Sequence, residues 1–316
     1  MYLTQKANYL LGFLWQKLLP KSPSRSYYDS LLPPPDLSRE GGIPRKIHQT
    51  SYSKKLPQEI QDNIAYLQEL NPGWSYSFYD DADIEAYLKR HYPEEILNYF
   101  RKISPGYGAA KADLFRYLLI YQEGGVYLDI KSTLTEPLEN HLRSDDELVL
   151  SYWDNLPGGQ QEGLWINHKE YPNIPRGELM QWIIISKPRH PMIREVIIQV
   201  LKNLDCYCPF TEIGGEGEGQ WGTLRTTGPI AYTHSLVHSM PLYAGHFRIV
   251  NLYRDWGVLY SIYSEPGEFG HKKILRTDYR LSYNPIVAHP VKWVQWLATS
   301  FLKMLQGYQN IRLKFR

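Results

Sequence analysis

Two periodicities of apolar residues alternate along the chain. After Pro57, the residues Ile60, Ile64, Leu67 and Leu70 keep the three-to-four spacing of one helix face, and Asn71-Pro72-Gly73 stops the run. Trp74-Ser75-Tyr76-Ser77-Phe78-Tyr79 then alternates aromatic and small polar residues, as a half-buried strand does. Asp80-Asp81 turns the chain into another short helix. Upstream, Ile43-Pro44-Arg45-Lys46-Ile47-His48-Gln49-Thr50 reads as a short strand ending in polar residues. This strand–helix–strand–helix order predicts an α/β domain with a largely parallel sheet.

The spacing predicts a helix over 108–121, with Leu114, Leu118 and Tyr121 on its apolar face and Asp113 and Arg116, three apart, sharing another. Gly124-Gly125 ends it, because glycine accepts the positive φ of a helix terminus. Val126-Tyr127-Leu128-Asp129-Ile130 follows as a buried strand. Its Asp129 falls near the C-terminal end, where open α/β sheets place ligands. A carboxylate in an apolar strand is costly to bury unless something pairs with it. Asp129 is therefore either a site residue or a structural aspartate bonded to loop amides. A central strand over 179–186 and a helix over 192–204 come next. A glycine-rich acidic loop over 212–222 has no preceding strand or internal cation to make it a phosphate cradle. Thr226-Thr227-Gly228-Pro229 opens a further helix, either as an anion site at a helix N-terminus or as ordinary capping.

The ends have a different character. Residues 1–41 read as an amphipathic helix followed by a linker containing Pro20, Pro23, Pro33, Pro34 and Pro35. The apolar stretch 9–15 falls short of the roughly 18 residues that span a bilayer, and no small-residue cleavage site follows it, so neither a span nor a signal peptide is expected. Residues 291–316 carry Lys292, Lys303, Arg312, Lys314 and Arg316 and no acid, with Trp293, Trp296, Leu297, Phe301, Met304 and Leu305 at helical spacing. That segment is either a helix packed on the domain or one lying in a membrane interface. The folded domain between them is expected over 42–290.

Composition narrows the classes. The 35 Lys+Arg nearly cancel the 33 Asp+Glu, so a whole-protein basic footprint for nucleic acid is absent. Cys206 and Cys208 are too few for a disulfide framework or a structural zinc site. There is no Asn-x-Ser/Thr acceptor, and with the cysteines this points to a reducing, cytoplasmic setting with contact to membrane through the ends. Tyrosine is in excess, 26 against 9 Phe, and its flat face with a polar handle suits a wet ligand cleft as well as a core.

Taken in order, the segments resemble glycosyltransferase family 32, which includes fungal initiating α-1,6-mannosyltransferases and bacterial capsule enzymes, with the large clostridial toxins as distant relatives. The resemblance spans residues 42–300. Its strongest block is Ala112-Asp113-Leu114-Phe115-Arg116-Tyr117 followed by Gly124-Gly125-Val126-Tyr127-Leu128-Asp129. Residues 43–50, Asn71-Pro72-Gly73-Trp74-Ser75-Tyr76, Ile185-Ser186-Lys187-Pro188-Arg189-His190-Pro191 and Thr227-Gly228-Pro229 match further signatures. The resemblance implies a GT-A fold, a Rossmann-like α/β domain holding a UDP- or GDP-linked sugar at the C-terminal edge of its sheet. It also implies transfer, with retention of anomeric configuration, to a glycan, polysaccharide or glycolipid. His48, Gln49, Thr50 and Trp74 would lie on the donor side, with Asp113, Arg116, Asp129, Thr227 and Gly228. Trp153, Asp154 and Gln181 are candidates for the acceptor side, or plain core in the case of Trp153.

One departure falls at the motif itself. Relatives carry Asp-x-Asp, whose carboxylates engage Mn²⁺ or Mg²⁺ at the donor diphosphate; here the sequence is Asp129-Ile130-Lys131. An ammonium repels a divalent cation but can neutralise a diphosphate directly. Three readings follow. Lys131 takes over part of the metal's role, with Asp113, Asp129 and Lys131 as the catalytic set. Alternatively, Lys131 points away and Asp129 with His289 still holds a metal. In the third, the chain is a non-catalytic sugar- or nucleotide-binding module.

Overall fold

The computed structural model describes residues 2–38, 41–163, 170, 174, 176–210, 217–263 and 284–314. Six strands form the main sheet: β1 (Lys46–Thr50), β2 (Ser75–Tyr79), β3 (Gly125–Leu128), β5 (Leu148–Leu150), β6 (Ile183–Ser186) and β7 (Arg248–Ile249), in the order β2-β1-β3-β6-β5-β7. A two-stranded pair joins β4 (Thr133–Leu134) to β8 (Val258–Leu259). Pairs β1–β2, β1–β3 and β5–β7 are parallel, and β6 runs antiparallel to both β3 and β5. The sheet is mixed and mostly parallel. Its directions put the ends of β1, β3, β5 and β7 and the start of β6 on one edge. The expected strand over 179–186 is shorter than its pattern: Leu179 makes only an isolated bridge to Tyr152, and pairing begins at Ile183.

Helices α1 (Tyr2–Lys17) and α2 (Arg25–Ser30) precede the sheet. The second was not expected within the proline-rich stretch; Ser24 caps it by accepting from the Tyr27 amide. Then come α3 (Gln58–Leu70), α4 (Asp81–His91), α5 (Glu94–Lys102), α6 (Gly108–Glu123), α7 (Pro191–Asp205), α8 (Gly219–Thr226), α9 (Pro229–Ser239), α10 (Leu252–Trp256) and α11 (Lys292–Lys314). Asp80 closes a capping box with Asp83, which explains why α4 starts where it does.

Alternation in the strands divides the core. Tyr127, Ile184, Leu148 and Leu150 face α6 and α7, while Ile47, Val126, Leu128, Ile183 and Ile185 face the layer holding Leu67 of α3 and Trp256 of α10. The turn between α6 and β3 admits only glycine. Gly124 has φ 63° and a Cβ there would lie 2.6 Å from Pro188 and 2.9 Å from Pro44. This turn fixes where β3 begins and hence where Asp129 emerges.

Glu218, just ahead of α8, is buried, and its Oε2 has no hydrogen-bond partner among the described residues. Burial pushes its carboxyl from an ordinary 4.5 up to about 8. Between those values the folded chain keeps a proton that the unfolded chain has released. Stability is therefore full below the unfolded pKa and falls as pH rises towards the folded one. Thermal midpoints measured from about pH 5 to 8 should decline more steeply for the parent than for Glu218→Gln, which cannot ionise. Parallel curves would remove Glu218 from the pH response.

Candidate active site

Asp129 follows β3 directly, and its amide donates to the Trp182 carbonyl (2.9 Å), so the neighbouring strand fixes its position. Its Oδ2 accepts from Lys131 Nζ at 2.9 Å. Its Oδ1 lies 3.2 Å from Arg116 Nη2 and accepts from the Tyr127 hydroxyl at 3.3 Å. Arg116 also approaches Asp113 Oδ1 at 3.4 Å, the contact expected of residues three apart on a helix. Two carboxylates and two cations thus alternate in one buried cluster, Asp113–Arg116–Asp129–Lys131.

Further hydrogen bonds tie the cluster to its neighbours. Gln181 Nε2 donates to Asp113 Oδ1 (2.8 Å) and to the Tyr117 hydroxyl (2.6 Å). Arg116 Nη1 donates to the Gln181 carbonyl at 3.1 Å. Thr227 Oγ1 donates to Asp113 Oδ2 at 2.9 Å. The Arg116 guanidinium lies 4.6 Å from the centre of the Tyr127 ring, and Lys131 Nζ lies 4.3 Å from that of Tyr260.

These contacts set the protonation states. Burial alone would raise the Asp129 carboxyl, but Lys131 and then Arg116 outweigh it and hold it below the ordinary range. For Asp113 burial prevails: its carboxyl is raised although Arg116, Gln181 and Thr227 pull the other way. Burial would lower Lys131, yet Asp129 and Tyr260 keep it above the usual lysine value, so it remains an ammonium. Burial pushes His48 down to about 4, leaving it neutral; its Nε2 pairs with the Gly124 carbonyl oxygen at 3.2 Å.

On β1, Gln49 donates to the Asp129 carbonyl (3.2 Å), and Thr50 Oγ1 lies 3.1 Å from the Tyr127 hydroxyl. The structure thus brings Gln49, Thr50, Asp113, Arg116, Asp129, Lys131 and Thr227 to one sheet edge.

Other expected residues stand elsewhere. Trp74 precedes Ser75, which is in register with Lys46 at the beginning of β1, so it sits at the opposite edge of the sheet from Asp129. Gln181, expected on the acceptor side, is instead the bridge between Asp113, Arg116 and Tyr117. The Thr227 hydroxyl is spent on Asp113 and does not cap α9; the segment instead follows the capping reading through Gly228 at the N-cap and Pro229 in the first turn, with no side-chain cap.

His289 is also removed from the motif's chemistry. Its Nδ1 accepts from the Val291 amide at 3.0 Å, and its Nε2 is 3.1 Å from the Trp15 carbonyl oxygen. A carbonyl only accepts, so Nε2 carries the hydrogen and neither nitrogen has a lone pair for a metal. Asp129 has both oxygens engaged by cations. Among the described residues, no group of three or more His, Cys, Asp or Glu side chains is placed to hold a metal ion. Among the described residues, Asp129 is paired with an ammonium and a guanidinium and Asp113 with Arg116, Gln181 and Thr227, a donor set that does not fit Mn²⁺ or Mg²⁺.

Further along the same edge, Trp153, Trp182, Tyr253 and Tyr260 form an aromatic cluster with neighbouring centroids 5.2 to 6.2 Å apart. Trp153 Nε1 donates to Glu178 at 3.2 Å. Trp182 Nε1 and the Tyr253 hydroxyl are buried without a hydrogen-bond partner among the described residues. Beyond them, Asp154, Arg176, Asn251 and Arg254 line a cavity of about 370 Å³, where Asp154 Oδ1 accepts from Asn251 Nδ2 at 2.7 Å. Tyr253, Tyr260 and Arg176 were not anticipated. Nothing in their local sequence marks them, because the contacts that matter come from strands more than a hundred residues upstream or across the sheet edge. Residues 211–216 of the acidic loop lie outside the described residues.

Known proteins resemble this region. Residues 57–149 match the family model described as a glycosyltransferase sugar-binding region containing a DXD motif. The matched segment includes Asp129-Ile130-Lys131.

The chain is 26% identical over 188 residues to the initiation-specific α-1,6-mannosyltransferase of Saccharomyces cerevisiae, covering 50% of this chain and 39% of that one. It is 28% identical over 157 residues to the Candida albicans protein of the same name, covering 46% and 38%. Against inositol phosphoceramide mannosyltransferase 2 of Schizosaccharomyces pombe it is 23% identical over 229 residues, covering 70% and 55%. The matched region thus spans about two fifths to about half the length of these relatives. Among solved structures, the PaToxG glycosyltransferase superposes with a TM-score of 0.45 at 15% identity, over 76% of this chain and 80% of that one. The sugar-transferase resemblance of the motifs and the matches to named mannosyltransferases agree.

Proposed function

We propose that the chain is a retaining glycosyltransferase that moves a sugar from a UDP- or GDP-linked donor to a glycan or glycolipid hydroxyl, with Lys131 supplying the charge that relatives draw from a metal. The observation that carries this reading is the Asp113–Arg116–Asp129–Lys131 cluster at the C-terminal edge of the sheet, where α/β folds bind nucleotides. A degenerate site has no reason to keep a buried Asp113, a part-buried Asp129 and two buried cations in mutual contact, since such clusters are costly to bury.

In this mechanism the donor lies along the ends of β1 and β3. Asp113 and Asp129 accept from sugar or ribose hydroxyls, and Arg116 holds both carboxylates in place. The bond from the anomeric carbon to the diphosphate oxygen breaks while a bond from the acceptor oxygen forms on the same face. The acceptor proton passes to the departing phosphate oxygen. Negative charge grows on the diphosphate as the bond breaks, and the Lys131 ammonium can turn from Asp129 to meet it. The cavity beside Asp154 and Arg176, further along the edge, is the natural place for the acceptor.

The test is transfer of labelled sugar from a panel of UDP- and GDP-sugars, with thermal shift reporting binding of each. A real donor raises the thermal midpoint by mass action and yields labelled product. Binding without turnover across the panel, with suitable acceptors present, would favour the non-catalytic module instead.

A further inference from the structure

The two terminal helices present their apolar residues to solvent. In α1 the inward positions are Gly12 and Trp15, and Trp15 Nε1 donates to the Tyr207 carbonyl at 2.7 Å. Tyr9, Leu10 and Phe13, three or four apart on the other face, are 76%, 63% and 56% exposed. In α11, Val294, Ala298 and Leu302 are buried, while Trp293, Trp296 and Met304 are 52%, 67% and 59% exposed. An ordinary surface helix has one apolar stripe and turns it inward. Each of these helices has a second one that faces out.

The helices touch each other, and both pack on Phe210: Trp15 lies 6.1 Å from its ring and Phe301 also 6.1 Å. The outward stripes therefore belong to one region of the surface. Neither helix contains Asp or Glu; Lys17, Lys292 and Lys303 are exposed on or beside the stripes, and Lys17 Nζ lies 5.5 Å over the Phe13 ring. No described helix is long and apolar enough to cross a membrane.

We infer that this paired-helix face docks on the surface of an anionic phospholipid bilayer. Charge complementarity selects that occupant. Lysines on helices that carry no acid are drawn to an anionic leaflet, while Trp and Tyr settle at headgroup depth and Leu, Phe and Met enter the acyl boundary. A second copy of this chain would bring lysines against lysines. The inference is independent of the sugar chemistry: either can fail without the other.

The test uses the full chain sedimented with vesicles of phosphatidylcholine alone or mixed with phosphatidylserine. Binding to the mixed vesicles should exceed binding to the neutral ones by about tenfold and weaken with added salt. The triple variant Phe13→Glu/Trp293→Glu/Trp296→Glu should lose about tenfold or more of the binding with little change in thermal midpoint, because all three residues are more than half exposed. Lys292→Glu/Lys303→Glu should weaken binding to the mixed vesicles alone. Absence of sedimentation with anionic vesicles, or equal binding by the triple variant, would overturn the inference. So would a lipid-free dimer that the triple variant abolishes.

Discussion

Lys131→Ala is expected to lower the turnover of sugar transfer by about 10²- to 10³-fold while changing the donor KM by much less. Lys131 is buried, remains an ammonium, and is held 2.9 Å from Asp129 with the Tyr260 ring beneath it. In the resting site it neutralises a carboxylate. During transfer it meets the charge that develops on the leaving diphosphate, which is a transition-state interaction and hence a loss in kcat. Asp129 retains Arg116 as a partner in the variant, so the site survives folding. Equal falls in donor affinity and turnover would mark Lys131 as a ground-state binding residue instead.

Arg116→Ala should be the most destabilising single change at the site. Among the described residues Arg116 is the one cation between Asp113 and Asp129, is 6% exposed, and also donates to the Gln181 carbonyl. Removing it strands the buried Asp113 and leaves Asp129 with Lys131 alone, a loss on the order of 3–5 kcal/mol. Urea denaturation checks this. Pairing the change with Asp113→Asn should recover part of the loss, because the stranded charge is then gone; simple additivity of the two changes would contradict the coupling. Arg116→Lys should not restore the site, since one ammonium cannot span two carboxylates and the Gln181 carbonyl at once.

What sequence reasoning could reach follows from local physics. The helix bearing Asp113 and Arg116, the Gly124-Gly125 turn and the strand leading to Asp129 are consecutive, so periodicity and glycine conformation suffice to place them. Residues fixed by tertiary context were misplaced. Trp74 is close to the nucleotide-side strand in sequence, but a parallel pairing starts both strands at the edge away from the ligand. Gln181 sits where β6 begins, and only the antiparallel pairing of β6 with β3 turns it towards Asp113 and Arg116. His289 is claimed by α1 through the Trp15 carbonyl, a contact across 274 residues that no local pattern announces. Tyr260 reaches Lys131 because β8 pairs with β4, two residues each, too short to show as strands in the sequence.

The replacement of a motif carboxylate by Lys131 is the centre of this account, and it is tested most directly by the rate of labelled sugar transfer by the parent protein in excess chelator, compared with the rate in added Mn²⁺. With the ammonium already at the diphosphate, the two rates should agree. Complete loss of transfer in chelator, restored by Mn²⁺, would contradict the assignment and return the leaving-group role to a metal.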